Sequence, residues 1–229
     1  MTGRTGAIAL VLFVASFAVA GLVTLALLWS GPDPYRDMAR ANRVTSIEML
    51  SHGPGGDAPA TVPLDRLVEL HQEWGGYVTS GRADPPQTFG RSLWTDDEYK
   101  HMADVRSVFG TARFLVPVAL FVIVVRLQRA RAVSPRVMWK LVRDGTTIAA
   151  IALAVVGFAA TVAFDQLFLL FHYVFFPQGN FLFDPATSNL VRLYPDWYWE
   201  GISLRVGISF IALAVGVAAV AHLRLRAAK

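Results

Sequence analysis

The chain has no cysteine among its 229 residues. That removes disulfides, thiolate metal sites, iron–sulfur ligation, covalently attached haem and any cysteine nucleophile together. Charge is equally scarce, at 17% of residues against about a quarter in an ordinary soluble domain. Neither a Gly-x-Ser-x-Gly elbow, a phosphate-binding glycine loop, a dinucleotide fingerprint nor a His-Glu-x-x-His metal motif occurs, so the strongest signatures of hydrolases, nucleotide enzymes and metalloproteases are missing. What is abundant is apolar surface: 54% of residues are hydrophobic and the mean hydropathy is +0.44. This composition describes an all-α membrane protein whose chain is spent mainly on spanning helices.

Four spans are expected. Residues 7–29 form an uncharged run of 23, about 34 Å of helix and enough for a bilayer core of roughly 30 Å. Arg4 before it and Ala18-Val19-Ala20 within it have the look of a secretory signal, but the run continues through Leu28, which favours an uncleaved span. The other spans are expected at 105–127, 145–164 and 201–223. Between them lie an extracytoplasmic segment at 30–104, a basic loop at 128–144, a second outer segment at 165–200 and a tail at 224–229.

A net charge of +4 raises nucleic acid as a partner, but the distribution of charge answers it. Residues 128–144 and the tail are rich in arginine, whereas residues 30–104 hold twelve acids against seven bases. Short basic loops stay in the cytoplasm, so both termini and the 128–144 loop belong there and the acidic segments outside. Trp29, Tyr194, Trp197, Tyr198 and Trp199 fall at outer span ends and Trp139 near an inner one, as interfacial belts do. No nucleic-acid partner is expected. Small residues on spans one and three, Ala15, Ser16, Gly157, Ala160 and Thr161, are candidates for close helix approach.

In the first outer segment, Tyr35–Leu50 and Leu64–Tyr77 read as helices, with a mobile loop from Ser51 to Pro59 between them. His52 is expected to be solvated there and His71 to sit on a helix surface. Thr95-Asp96-Asp97-Glu98 has the form of a capping box, so a helix should start at Asp96 and run into span two. His101 and Asp104 are one turn apart on it, and Arg106 and Arg113 share another face as candidates for lipid-phosphate contact.

In the second outer segment, Asp165 and His172 fall on one helical face among Phe164, Phe168, Phe171, Phe175 and Phe176, about 10 Å apart. Pro177-Gln178-Gly179-Asn180 should end that helix and Asp184-Pro185-Ala186-Thr187 should turn the chain again. Histidine with a nearby carboxylate is the usual acid/base arrangement near neutral pH. That chemistry competes with a haem or metal site on His71, His101 or His172, and with a non-enzymatic scaffold or accessory subunit carrying a structural Asp–His network.

His101-Met102-Ala103-Asp104-Val105-Arg106, together with Phe164-Asp165 through Phe171-His172, Phe175-Phe176, Gly179-Asn180 and Phe183-Asp184-Pro185, resembles the two motifs of the lipoprotein intramolecular transacylases. Tyr173 and Phe181 depart from it, standing where that family often has an acid and a tryptophan. The resemblance implies a four-span bacterial cell-membrane enzyme, its active site at the extracytoplasmic face, that moves the sn-2 acyl chain of a diacylglyceryl-cysteine lipoprotein onto the cysteine α-amine. It implies no cofactor and no metal. His101 and His172 would be the catalytic pair, one taking the amine proton and the other polarising the ester or protonating the leaving oxygen. Asp104, Asp165, Asn180 and Asp184 would orient them or stabilise the oxyanion. The partners implied are the diacylated lipoprotein terminus and membrane lipid.

Overall fold

A computed structural model describes residues 3–52, 58–79, 86 and 93–227. The element order is α1 (Arg4–Trp29), α2 (Pro32–Ala41), β1 (Ser46–Ser51), β2 (Ala58–Pro63), α3 (Leu64–Thr79), α4 (Asp96–Val133), α5 (Pro135–Phe175), α6 (Asn189–Leu193) and α7 (Asp196–Ala227). Four of these helices, α1, α4, α5 and α7, are long and apolar enough to cross a membrane. The protein is a multi-pass, mainly helical membrane protein.

The chain forms two compact units, one of Met1–Ala26, Ala112–Ala163 and Leu204–Lys229, the other of Leu27–Thr111 and Phe164–Ser203. In the first, every element is a helix, the one open-ended structure that bonds all of its backbone polar groups internally and so tolerates hydrocarbon. Phe210 packs with Ala149, Ala150 and Ala214, and Phe13 with Val142 and Ala221. Glycine decides how closely these helices meet. A Cβ on Gly21 would lie 2.7 Å from the Phe210 ring, and one on Gly145 would overlap Phe13. A Cβ on Gly157, expected in that role, would meet no atom of another helix within 4 Å. Phe114, Phe121, Phe158 and Val162 stand exposed, an outer surface suited to lipid rather than water.

Ser134 separates α4 from α5. Its hydroxyl accepts from Val137 N, 3.1 Å, and Pro135 takes the first helical position, so the basic 128–144 segment is helical on either side of a single capping residue. The helix α5 continues past the expected end of span three to Phe175, interrupted at Ala163, whose φ of −144° and ψ of 40° are not helical.

The second unit departs most from expectation. Helix α2 ends at Ala41, and Asn42 and Arg43, the latter at φ 58°, close it. The rest of the expected Tyr35–Leu50 helix is strand β1, paired antiparallel with β2 from Ser46 opposite Pro63 to Ser51 opposite Ala58. Met49 and Val62 point from the hairpin into the core. The ends of the expected Ser51–Pro59 loop are therefore strand, while residues 53–57 lie outside the described residues. Helix α3 forms over Leu64–Thr79, close to expectation, and buries Leu67, Leu70, His71, Trp74 and Val78.

Candidate active site

The first turn of α4 is tied down by Glu98, which is fully buried. Thr95 and Glu98 form the expected capping box: Thr95 N donates to Glu98 Oε2 at 2.8 Å and Glu98 N to Thr95 Oγ1 at 3.3 Å. The other carboxylate oxygen accepts from Ser188 Oγ, 2.6 Å, and Leu190 N, 2.7 Å, so one side chain joins α4 to the start of α6. Asn189 adds a second clamp. It exchanges hydrogen bonds with both backbone groups of Leu50, as a neighbouring strand would, and donates also to Leu93 O.

His101 lies one turn beyond Glu98, before the apolar part of α4 begins, and His172 lies in the last turn of α5. Their rings stack with centroids 6.2 Å apart and planes 21° from parallel. Phe176 lies 4.9 Å from His101 and 5.5 Å from His172. Phe183 closes on His101 at 5.5 Å, and Phe168 and Phe181 on His172 at 4.4 and 5.1 Å. His101 is buried, and burial first, the His172 ring second, push its pKa down to about 4, against Asn180 and Asp104, which favour its charged form. At neutral pH it is an uncharged imidazole, able to accept a proton.

The tautomer of His172 is set by its partner. Nδ1 is 2.8 Å from the carbonyl oxygen of Phe168, which can only accept. Nδ1 therefore carries the hydrogen, and in the neutral ring Nε2 carries the lone pair. Asp104 Oδ2 accepts from Asn180 Nδ2 at 2.5 Å and from Gln178 Nε2 at 2.8 Å, so His101, His172, Asp104 and Asn180 come together.

The remaining expected residues do not join them. Asp165 is exposed and makes no hydrogen bond or ion pair among the described residues; seven residues of helix separate it from His172. Asp184 is exposed and closes its own turn, accepting from Ala186 N at 2.8 Å. Short acidic side chains commonly satisfy the backbone two residues on, and this local bond keeps Asp184 away from the rings. Arg106 covers the Tyr77 ring with its guanidinium 4.8 Å from the centroid, and Arg113 is exposed on α4. Gln178 is a member of the cluster that sequence reasoning missed. The signal was its place two residues before Asn180 in the turn.

His71 is not a surface residue. It is buried, stacked on Tyr35 at 4.5 Å, with Nε2 donating to Ser30 O at 3.0 Å and Nδ1 3.2 Å from the Tyr194 hydroxyl. Burial lowers its pKa to about 4 against the backbone bonds. Its position i+4 from Leu67 and i−3 from Trp74 was the available sign. His52 is half-buried at the end of β1 rather than solvated. A separate cleft of about 610 Å³ between the start of α2 and α3 is lined by Gly31, Arg66, His71, Glu73 and Gly76 among others, and by neither histidine of the pair. Among the described residues no group of three or more His, Asp or Glu converges as a metal ion would need.

Four membrane-crossing helices, two of which, α4 and α5, carry the stacked pair of a buried His101 and a half-buried His172, define a polytopic membrane protein. The chain belongs to the lipoprotein intramolecular transacylase Lit family, whose family model matches residues 85–199, just over half of its length and both histidines. Its fold is that of the membrane-integral lipoprotein intramolecular transacylase Lit from Bacillus cereus: TM-score 0.64 at 13% identity, covering 98% of this chain and 99% of that one. Structures of the same Bacillus cereus protein with a histidine replaced by arginine (12% identity, TM-score 0.61, 98% and 95% covered) or by alanine (10%, 0.63, 96% and 93%) match likewise. No curated protein matches in sequence.

Proposed function

We propose that this membrane transacylase moves the sn-2 acyl chain of a diacylglyceryl-cysteine lipoprotein to the α-amine of the same cysteine, giving the lyso-form. The observation that carries the reading is the stacked His101–His172 pair in its phenylalanine enclosure. Amine and ester arrive on one substrate, so the protein's task is to align them, keep the amine neutral and manage one proton. The amine nitrogen attacks the acyl carbonyl carbon and forms the new C–N bond. His172 Nε2, the ring nitrogen whose lone pair is assigned by the Phe168 bond, accepts the amine proton. The ester C–O bond breaks, and that proton passes to the departing glycerol oxygen, which becomes the free sn-2 hydroxyl. No proton is gained or lost overall, and no cofactor enters. His101 polarises the ester or delivers the proton, and Asn180, held by Asp104, positions it.

The site is read as extracytoplasmic in a bacterial cell membrane with both termini cytoplasmic, because the arginine-rich 128–144 segment and tail favour the inner side. Arg106 and Arg113 lie where membrane phosphates would be met. Asp165 and Asp184, exposed and apart from the rings, have no role in the proton path.

The transfer is an isomerisation, so the test is fragmentation mass spectrometry of a reporter lipoprotein's N-terminal peptide, from a host that otherwise leaves diacylglyceryl termini unmodified. With this protein the fragments should carry the acyl group on nitrogen. With His172→Ala they should not. An unmodified terminus with both proteins present in the membrane would reject the substrate.

A further inference from the structure

Gln178 is exposed and touches neither histidine, yet it shares one carboxylate oxygen of Asp104 with Asn180. Between them Gly179 adopts φ +79°, a left-handed conformation that glycine takes without strain, and this turn lets side chains 178 and 180 reach the same acceptor. A carboxylate has no hydrogen to give, so both amides must present their NH2 groups to it. For Asn180 this leaves Oδ1 on the opposite side, buried and with no partner assigned among the described residues; His101 Nδ1 is buried in the same condition. Asn180 also favours the charged form of His101, the effect of an amide oxygen at a ring N–H and not of an amide NH2.

The geometry points to an amide lock: Gln178 and Asp104 hold the Asn180 side chain so that its oxygen receives Nδ1–H of His101, which leaves His101 Nε2 with the lone pair. Were the amide to turn over, its NH2 would face Nδ1, the ring would take the other tautomer, and Nε2 would cease to be a base. Asp104 and Gln178 are thus positioning residues that act through Asn180. Both rings then carry their lone pair on Nε2, and with centroids 6.2 Å apart a charge on His172 disfavours a second one on His101. The activity part of this inference rests on the transacylase reading above; the tautomer does not.

The test exchanges the two groups. Asp104→Ala removes the oxygen that holds both amides, and Asn180→Asp puts carboxylate against carboxylate, so each alone breaks the lock and should lower the N-acylation rate about 100-fold; the exchange itself is Asp104→Asn combined with Asn180→Asp. In the doubly exchanged protein the amide at position 104 donates to the carboxylate at position 180, whose other oxygen still accepts from His101, and the rate should return to within about tenfold of wild type. The charged and titratable groups facing His101 in the native protein are His172 and, through Asn180, Asp104; Glu98, one turn away, is turned to Ser188. A carboxylate placed directly at Nδ1 should therefore move the acidic limb of the pH–rate profile up by about one unit or more. Gln178→Ala, at an exposed position, should cost about tenfold in rate with no change in thermal midpoint. A double exchange as impaired as the worse single variant, with the acidic limb unmoved, would overturn the lock.

An independent readout is the nitrogen-15 spectrum of histidine-labelled full-length protein in detergent micelles, assigned with His101→Gln. Wild type should show His101 protonated at Nδ1, and Asp104→Ala should lose that preference. The Nε2–H tautomer in wild type would overturn the lock even in an active enzyme. The Nδ1–H tautomer in a protein that never N-acylates the reporter would leave the lock standing and remove the substrate assignment instead.

Discussion

At the scale of single residues, the most consequential side chain outside the histidine pair is Glu98. Its carboxylate accepts from the backbone and hydroxyl of Thr95 on one oxygen and from Ser188 and Leu190 N on the other, with no exposure to solvent. Removing one partner of a buried charged network strands the donors that remain, so Glu98→Ala should cost about 3 kcal/mol or more. Glu98→Gln should cost nearly as much, because its NH2 must face an N–H donor whichever way it turns. The check is the thermal unfolding midpoint in detergent; a Gln variant at the wild-type midpoint would refute the acceptor-only role. The capping half of this network was legible in the sequence, since Thr-x-x-Glu is a local pattern. The other half was not, because Ser188 and Leu190 are about 90 positions away. Asn189 tells the same story: its bonds to Leu50 cross 139 positions, and no local spacing announces them.

At the scale of elements, helices were readable and the hairpin was not. A helix declares itself by caps and periodicity, and Asp96, the break after Phe175 and the four apolar runs all do so. β1 and β2 draw their stability from each other across a turn, so neither six-residue stretch carries a decisive signal alone. The helix contacts show a similar limit. Small residues on a span are visible, but Gly21 and Gly145 are special only because Phe210 and Phe13 face them.

The segment after α5 is the element that sets the chemistry. It lays Phe181 against His172 and Phe183 against His101, with Leu182 exposed between them. In the transacylase reading these rings keep water from competing with the amine. Phe183→Ala should therefore open a second outcome, in which water adds to the acyl carbon, the ester C–O bond breaks, the proton goes to the glycerol oxygen and a free fatty acid leaves. Unlike transfer, hydrolysis changes the mass of the N-terminal peptide by one acyl group, so the two products separate in the same spectrum. Lower N-acylation with no fatty acid released would show that Phe183 only shapes the site.

At the scale of the whole molecule, charge and burial make opposite demands. Basic residues gather in and beside a few stretches of α4, α5 and the tail, where the sequence alone shows them. The buried titratable groups, by contrast, become visible only once the second unit is folded. His71 ties that burial to stability. Its Nε2–H is bonded to Ser30 O and its Nδ1 lies 3.2 Å from the Tyr194 hydroxyl, so the neutral ring is fully bonded in the fold, and burial works against its charged form. The folded pKa of about 4 lies below the unfolded value of about 6.5. Between those limits the unfolded chain binds the extra proton, so stability rises with pH: the contribution is fully present above about pH 6.5 and is lost as pH falls toward 4. The total is about 3 kcal/mol for His71, and His101, also depressed by burial, acts in the same sense. Unfolding midpoints measured from pH 7 to pH 4.5 should fall steeply for wild type. His71→Phe keeps the ring stacked on Tyr35 but forfeits two hydrogen bonds, so it should start lower at pH 7 and decline less. Parallel slopes for the two proteins would mean that His71 is already charged in the folded state and that the acid sensitivity resides elsewhere, with His101→Phe the variant left to flatten it.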